Sequence, residues 1–179
     1  MTLSGFDDLA LETVSIPIGG REWHLDCVRD QGRVLAYAES HAQAPYGLLL
    51  WESAVALARS LHTHSTLVEN KQVLELGAGV GLPGLVARSL GAEVWQTDNL
   101  TAALEIARLN ARANEVSGIT RFTADWARWT DDRLWDRTFY TSGRCKGRSS
   151  PSSAEILHRM ALYYLRIQRG SSLSIYWHV

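Results

Sequence analysis

Glycines fall at positions 77, 79, 81 and 84 of the run Val73-Leu74-Glu75-Leu76-Gly77-Ala78-Gly79-Val80-Gly81-Leu82-Pro83-Gly84. Apolar residues around one acid precede them, and a new apolar pattern begins at Leu82. This order predicts a buried strand, a turn too tight for a Cβ, and a helix N-terminus. Backbone in such a turn can press against a ligand, and the first N–H groups of the helix lack intrahelical partners. The chemistry on offer is therefore the binding of a nucleotide-like molecule, and no packing role competes with that reading at the glycines. The spacing Gly79-x-Gly81-x-x-Gly84 satisfies a dinucleotide-binding pattern. Asp98, at the end of the next strand, lies where an acid holds ribose hydroxyls whichever nucleotide is bound. Glu75 is the residue that discriminates. A carboxylate so close to the turn repels a pyrophosphate and suits a ligand that carries an ammonium and a sulfonium, as S-adenosylmethionine does.

The elements that position this turn can be read on both sides of it. Val14-Ser15-Ile16-Pro17-Ile18 and Arg21-Glu22-Trp23-His24-Leu25 flank Gly19-Gly20, which predicts a β-hairpin with a two-residue turn. Residues 34–38 read as a further short strand. Leu49, Ala54, Leu57, Ala58 and Leu61 recur at helical spacing, so residues 48–61 predict an amphipathic helix starting near Tyr46-Gly47. A polar connection over residues 60–71 follows, and His62-Thr63-His64 falls in it. Then strands are expected at 72–76, 93–97 and 119–122, alternating with helices at 82–90, closed by Gly91, and 100–113. Leu104, Ala107 and Ala111 share one face of the second helix. Such alternation with short links is the pattern of an α/β fold built on a parallel sheet.

Bulk properties exclude several classes. A 46% hydrophobic and 21% charged composition over 179 residues is that of one ordinary globular domain. A net charge of -1 provides no overall field to attract nucleic acid or a membrane surface. Cys27 and Cys145 have no ligand spacing, and the six histidines form none with an acid, so no metal is expected and the compartment reads as reducing. Asp7, Asp8 and Glu12 make the N-terminus unlike a signal peptide, and no uncharged stretch is long enough to span a bilayer. A cytoplasmic protein is the expectation.

Glu75-Leu76-Gly77-Ala78-Gly79-Val80-Gly81 resembles motif I of the seven-strand class I methyltransferases. With Trp51-Glu52-Ser53-Ala54 before it, Gly91-Ala92-Glu93-Val94 and Thr97-Asp98 after it, and Asp125-Trp126 further on, the set is similar to the family-16 methyltransferases, many of which methylate protein lysines. The resemblance covers about residues 45–126. It implies a Rossmann-like three-layer sandwich, S-adenosylmethionine as cofactor and a protein substrate. Carried onto this chain, it implies that Gly77, Ala78 and Gly79 line the methionine and ribose. Glu75 would face the methionine amino group, Asp98 would hold the ribose diol, Asp125 or Trp126 would border the adenine, and Trp51 would close the pocket. As packing alternatives, Trp51 could anchor a helix to the core, Trp126, Trp129 and Trp135 could fill a sheet end, and Asp98 could cap the helix at Leu100.

Past Arg137 the pattern changes. The family's next strand ends in an acid-x-x-tyrosine group beside the methyl acceptor, and Asp136-Arg137-Thr138-Phe139-Tyr140 begins like it before giving way to a polar, basic run. No catalytic base is therefore assigned. Residues 1–137 hold 12 basic and 18 acidic side chains, whereas residues 138–179 hold 6 basic side chains and Glu155 alone, which marks the boundary. The expectation is a hairpin extension over 1–45, a cofactor-binding half over 46–137 and an atypical basic tail over 138–179. The tail is expected to be strandless near Tyr140, with a helix over 153–169 and a short strand over 173–177. The sheet would then be incomplete, leaving the Glu75 strand as an open edge prone to association. A shifted reading frame or an alternative exon after about Phe139 would account for this, and a natural short form with a basic interaction segment is the rival. A small-molecule methyltransferase, an inactive binding form and a dinucleotide oxidoreductase are the competing functions.

Overall fold

The computed structural model describes residues 6, 9–40, 45–124, 138–143, 163–166 and 175–176. Strands β1 (Leu11–Ile18) and β2 (Arg21–Val28) form an antiparallel hairpin. Its turn, Gly19-Gly20, has φ of 62° and 77°, the paired positive values that a two-residue turn matching strand twist demands. Trp23, Leu25 and Cys27 alternate inward from β2.

Residues 34–38 lie not in a strand but in helix α1 (Gln31–Ser40). Asp30 starts it, its Oδ1 accepting the Arg33 N–H at 3.0 Å, so a local cap overrides the β-forming residues that follow. A 3-10 turn (Tyr46–Leu48) and an extended stretch then lead to helix α2 (Glu52–Thr63), which starts later and ends later than its apolar spacing suggests. His62 and Thr63 therefore belong to its last turn rather than to a loop. A Cβ on Gly19 would collide with the His62 ring, so the hairpin tip rests on α2.

The second sheet has the order β5-β4-β3-β6-β7-β8. Strands β3 (Gln72–Leu76), β4 (Glu93–Asp98) and β5 (Ile119–Thr123) are parallel, joined through helices α3 (Leu82–Ser89) and α4 (Thr101–Ala113). Both crossovers step the same way along the sheet, and right-handed connections place α3 and α4 on one face. α2 packs against α3, and α4 packs against β2. One core joins the hairpin and α2 to α3 around Trp23, Leu61, Val73 and Leu85. Another joins α1, the 3-10 turn and α4 to the glycine turn around Val34, Leu48, Val80 and Ile106.

Three expectations about the tail are corrected. Strand β6 (Thr138–Gly143) runs parallel to β3, with Val73 opposite Tyr140 and Leu76 opposite Gly143, so the Glu75 strand is not an open edge. Thr138, Phe139, Tyr140 and Thr141 are good strand formers, and the strand ends just before the basic run that hid it. Strand β7 (Tyr163–Arg166) lies antiparallel to β6, inside the segment expected to be helical. A short apolar run fits either period, and the aromatic pair Tyr163-Tyr164 favours the sheet. Strand β8 (Ile175–Tyr176) falls within the expected strand and pairs with β7. Among the described residues the sheet thus has six strands, the last two of them antiparallel additions.

Candidate functional site

The chain leaves β3, steps outward to β4 and β5, then returns to β6 on the other side of β3. In open α/β sheets ligands bind at the carboxyl ends of the strands where the order reverses. The glycine turn and Asp98 both stand at that end of β3 and β4.

Gly77, Gly79 and Gly81 have φ of 68°, 54° and 89°, so the turn needs the left-handed region three times in five residues. Packing nonetheless accounts for part of the pattern, which corrects the view that only a ligand could. A Cβ on Gly81 would come within 2.8 Å of Ala107 Cβ, and one on Gly79 within 3.1 Å of the Gly47 carbonyl oxygen. One on Gly84 would overlap the Glu75 carboxylate. These glycines let α4, the 3-10 turn and β3 close on the turn.

The turn's donors are largely spent within the protein. Ala78 N–H donates to Thr97 O at 2.9 Å, and Gly81 N–H to Ala78 O at 2.8 Å. Gly79 N–H donates to Asp98 Oδ2 at 3.0 Å. The start of α3 is also taken, because Gly84 N–H donates to Glu75 Oε2 at 3.1 Å. A pyrophosphate would need these N–H groups and would meet a carboxylate at two of them.

Glu75 does not occupy the place the resemblance implies for it. It is 3% exposed, and its Oε2 is held beneath the turn by Gly84 N–H and by Gln96 Nε2 at 2.8 Å. Those contacts make it the cap of α3 and a strut under the turn. Burial pushes its carboxyl up to about 7, against the lowering effect of the Gln96 and Gly84 hydrogen bonds and of Arg121. Asp98 is 6% exposed at the end of β4, with Oδ1 accepting Leu100 N–H at 2.9 Å. Burial raises its carboxyl also, opposed by hydrogen bonds from the backbone of Leu100, Gly79 and Asn99. Asp98 therefore closes an Asx turn just ahead of the start of α4, whose N-cap residue is Leu100. It bridges that start to the glycine turn as well, and each oxygen keeps lone-pair capacity for a hydroxyl donor.

Trp51 precedes α2 and donates its Nε1–H to Tyr46 O at 3.0 Å, with the two rings edge-on at 6.5 Å. Gly47, within this segment, lies against Gly79 and Asp98, so the segment reaches the site there. On its hairpin side Trp51 lines a cavity of about 660 Å³ with Ser15, Val28, Arg29 and Glu52. Asp125 and Trp126 lie outside the described residues, as do Trp129 and Trp135.

Three participants escaped the sequence reading. Gly47 was visible only as part of a helix start. Gln96 was the one amide in an otherwise apolar strand centre; its Nε2 donates to Glu75 Oε2 and, at 3.0 Å, to Gly81 O. Asn110 was a polar residue on the apolar face of α4; its Nδ2 donates to Val80 O at 3.0 Å.

A parallel α/β sheet with a glycine turn after its central strand and an acid ending the next is the class I methyltransferase arrangement. The chain belongs to the lysine methyltransferase family, whose sequence profile matches residues 30–140. It is 36% identical over 91 residues to the histone-arginine methyltransferase METTL23 of Xenopus laevis, covering 50% of this chain and 39% of that one. It is 42% identical over 66 residues to the protein N-lysine methyltransferase METTL21A of Xenopus tropicalis, covering 37% of this chain and 30% of the other. The matched stretch thus spans well under half the length of these curated relatives. Among solved structures, the T. thermophilus 16S rRNA N2 G1207 methyltransferase RsmC in complex with AdoMet and guanosine is 14% identical, with a TM-score of 0.47, covering 92% of this chain and 49% of that one. S-adenosylmethionine is the cofactor such a family uses, and the donor set here suits it. The buried Asp98 carboxylate fits a diol, and the turn leaves no open phosphate cradle.

Proposed function

We propose that this chain is an S-adenosylmethionine-dependent methyltransferase acting on a side-chain nitrogen of a protein, with lysine as the acceptor. The observation that carries the cofactor half is the Asp98 bridge. A carboxylate already seated on Gly79 N–H selects a ligand with hydroxyls, not phosphates, at the turn. Family membership and the names of the lysine-acting relatives support the acceptor.

The bound cofactor supplies a methyl group on a sulfonium, which a neutral nitrogen attacks in line while the sulfur departs as a thioether. What this chain contributes is placement. Asp98 fixes the ribose end, the Gly77–Gly79 backbone lets the methionine end lie close, and the Tyr46–Trp51 segment shields it. Alignment of this kind accounts for much of such a rate enhancement. A lysine also has to lose its proton first. The acid-x-x-tyrosine group to which the resemblance gives that work does not occur after β6, where Glu155 is the one acid and is followed by no tyrosine at that spacing, so the base is unassigned. Cysteine usage and charge favour a cytoplasmic setting without nucleic-acid partners.

Calorimetry with S-adenosylhomocysteine and with NADH tests the cofactor. Binding of the first and not the second is expected, and the reverse overturns the proposal. Labelled S-adenosylmethionine added to cell lysate with the chain then tests the acceptor. Label in protein lysine supports it, label in arginine moves the acceptor to that of the METTL23 relatives, and label only in small molecules rejects a protein substrate.

A further inference from the structure

The hairpin is fastened to the sheet domain by an unusual joint. Asn110 Oδ1 accepts Asp26 N–H at 2.7 Å, and its Nδ2 donates to Asp26 O at 3.1 Å. Asn114 repeats this one helical turn later, with Oδ1 accepting His24 N–H at 2.9 Å and Nδ2 donating to His24 O at 2.6 Å. Each carboxamide thus stands in for the peptide group of a neighbouring strand. The match is geometric. Four helical residues advance about 6 Å and two strand residues about 6.6 Å, so side chains at i and i+4 of α4 meet residues two apart on β2. In this way α4 covers the edge of β2 that β1 does not.

The two asparagines differ in one respect. The second bond of Asn110 Nδ2 goes to Val80 O, in the middle of the glycine turn, whereas that of Asn114 Nδ2 goes to Asn110 O within its own helix. Asn110 is fully buried, and its amide hydrogens and oxygen are all engaged. The Val80 side chain reinforces the link by packing in the same core as Cys27 and Val28 of β2. One carboxamide therefore ties the hairpin backbone to the backbone that bears the cofactor.

We propose that Asn110 is a positioning residue through which docking of the hairpin sets the conformation of the glycine turn, so that hairpin docking and cofactor binding are coupled. This rests on the S-adenosylmethionine reading above. Coupling is reciprocal: if the docked hairpin favours the bound cofactor, the bound cofactor must hold the hairpin docked by the same factor.

Amide hydrogen exchange tests this directly, because the Asp26 and His24 N–H groups are themselves the joint. Saturating S-adenosylhomocysteine is expected to slow exchange at Asp26 in the unaltered chain by about tenfold, within the usual range of coupling between sites. Asn110→Ala is expected to bind S-adenosylhomocysteine about tenfold more weakly and to lose the slowing that the cofactor also brings to His24 in the unaltered chain, although the His24 bonds to Asn114 remain. Asn114→Ala loosens the same hairpin but leaves the bond to Val80, so it is expected to keep both affinity and protection at Asp26. A purely structural role would weaken binding alike in the two variants, and that result overturns the proposal. Unchanged Asp26 exchange in the unaltered chain on saturation also overturns it, even if Asn110→Ala fails to fold. If the unaltered chain binds no S-adenosylhomocysteine, the cofactor reading falls and this inference with it.

Discussion

Glu75 and Asp98 sit near the ends of adjacent parallel strands, both buried and both accepting hydrogen bonds from the start of a structural element, yet they do different work. Glu75 lies one residue short of the end of β3 and turns inward, where Gly84 N–H and Gln96 Nε2 hold one oxygen. Asp98 is the last residue of β4, and its two oxygens are shared between Gly79 N–H and Leu100 N–H at the rim where ligands enter such sheets. The difference is one of position along a strand. Successive side chains alternate faces, and only at the terminus does a side chain reach the edge. Of the two acids beside the turn, one therefore supports the backbone from below while the other stands at the rim.

The comparison can be broken most decisively at Asp98. Asp98→Ala removes the diol acceptor, and two charge-assisted hydrogen bonds at about 1.5 kcal/mol each correspond to a loss of cofactor affinity of roughly 100-fold. Calorimetry with S-adenosylhomocysteine measures it, and affinity within threefold of the original would mean that Asp98 only braces the two backbone segments it joins.

Glu75 is expected to answer to pH instead. Its carboxyl is raised from 4.5 to about 7 in the fold, so between those values the folded chain holds a proton that the unfolded chain has released. Its contribution is therefore most favourable below about pH 4.5 and falls by about 3 kcal/mol as pH rises to 7, then stays level. Glu75→Gln cannot titrate. The stability of Glu75→Gln relative to the original, from urea unfolding, is expected to rise across that window, and a difference independent of pH would count against a buried acid. Asp98 shifts in the same direction, so the variant comparison is needed to isolate Glu75.

A smaller effect sharpens the strut reading. Gly84→Ala forces a methyl onto the Glu75 carboxylate, an overpacking that costs about 1–3 kcal/mol. Combined with Glu75→Ala, which removes one of the two side chains the methyl would strike (the other is Gln96), the substitution is expected to cost less than it does alone. Strict additivity in a double-mutant cycle would show that the two groups do not meet.

Much of the fold was legible because it is local. Gly19-Gly20 between alternating strands specifies its hairpin, and the glycine turn, Gly91 and the apolar periods delimit β3 through α4. Where the reading failed, short segments were decided by something outside their own period. Asp30 turned residues 34–38 helical by capping them. At β6, a central place beside β3 made a strand of residues that a following basic run had disguised. Tyr163-Tyr164-Leu165 joined a sheet although its spacing suited a helix.

The candidate site divides along the same line. Residue type and order alone placed the glycine turn after β3 and the acid at position 98 at the end of β4, because tight turns need glycine and strand ends are marked by period. Only the tertiary structure decided which acid faces the rim, which glycines answer to packing, and that Gln96 and Asn110 hold the turn from either side. Those choices depend on contacts between residues 9 to 84 positions apart, Gly84 with Glu75 and Asn110 with Asp26 among them. Sequence periodicity records which face a side chain takes; it does not record what waits for it there.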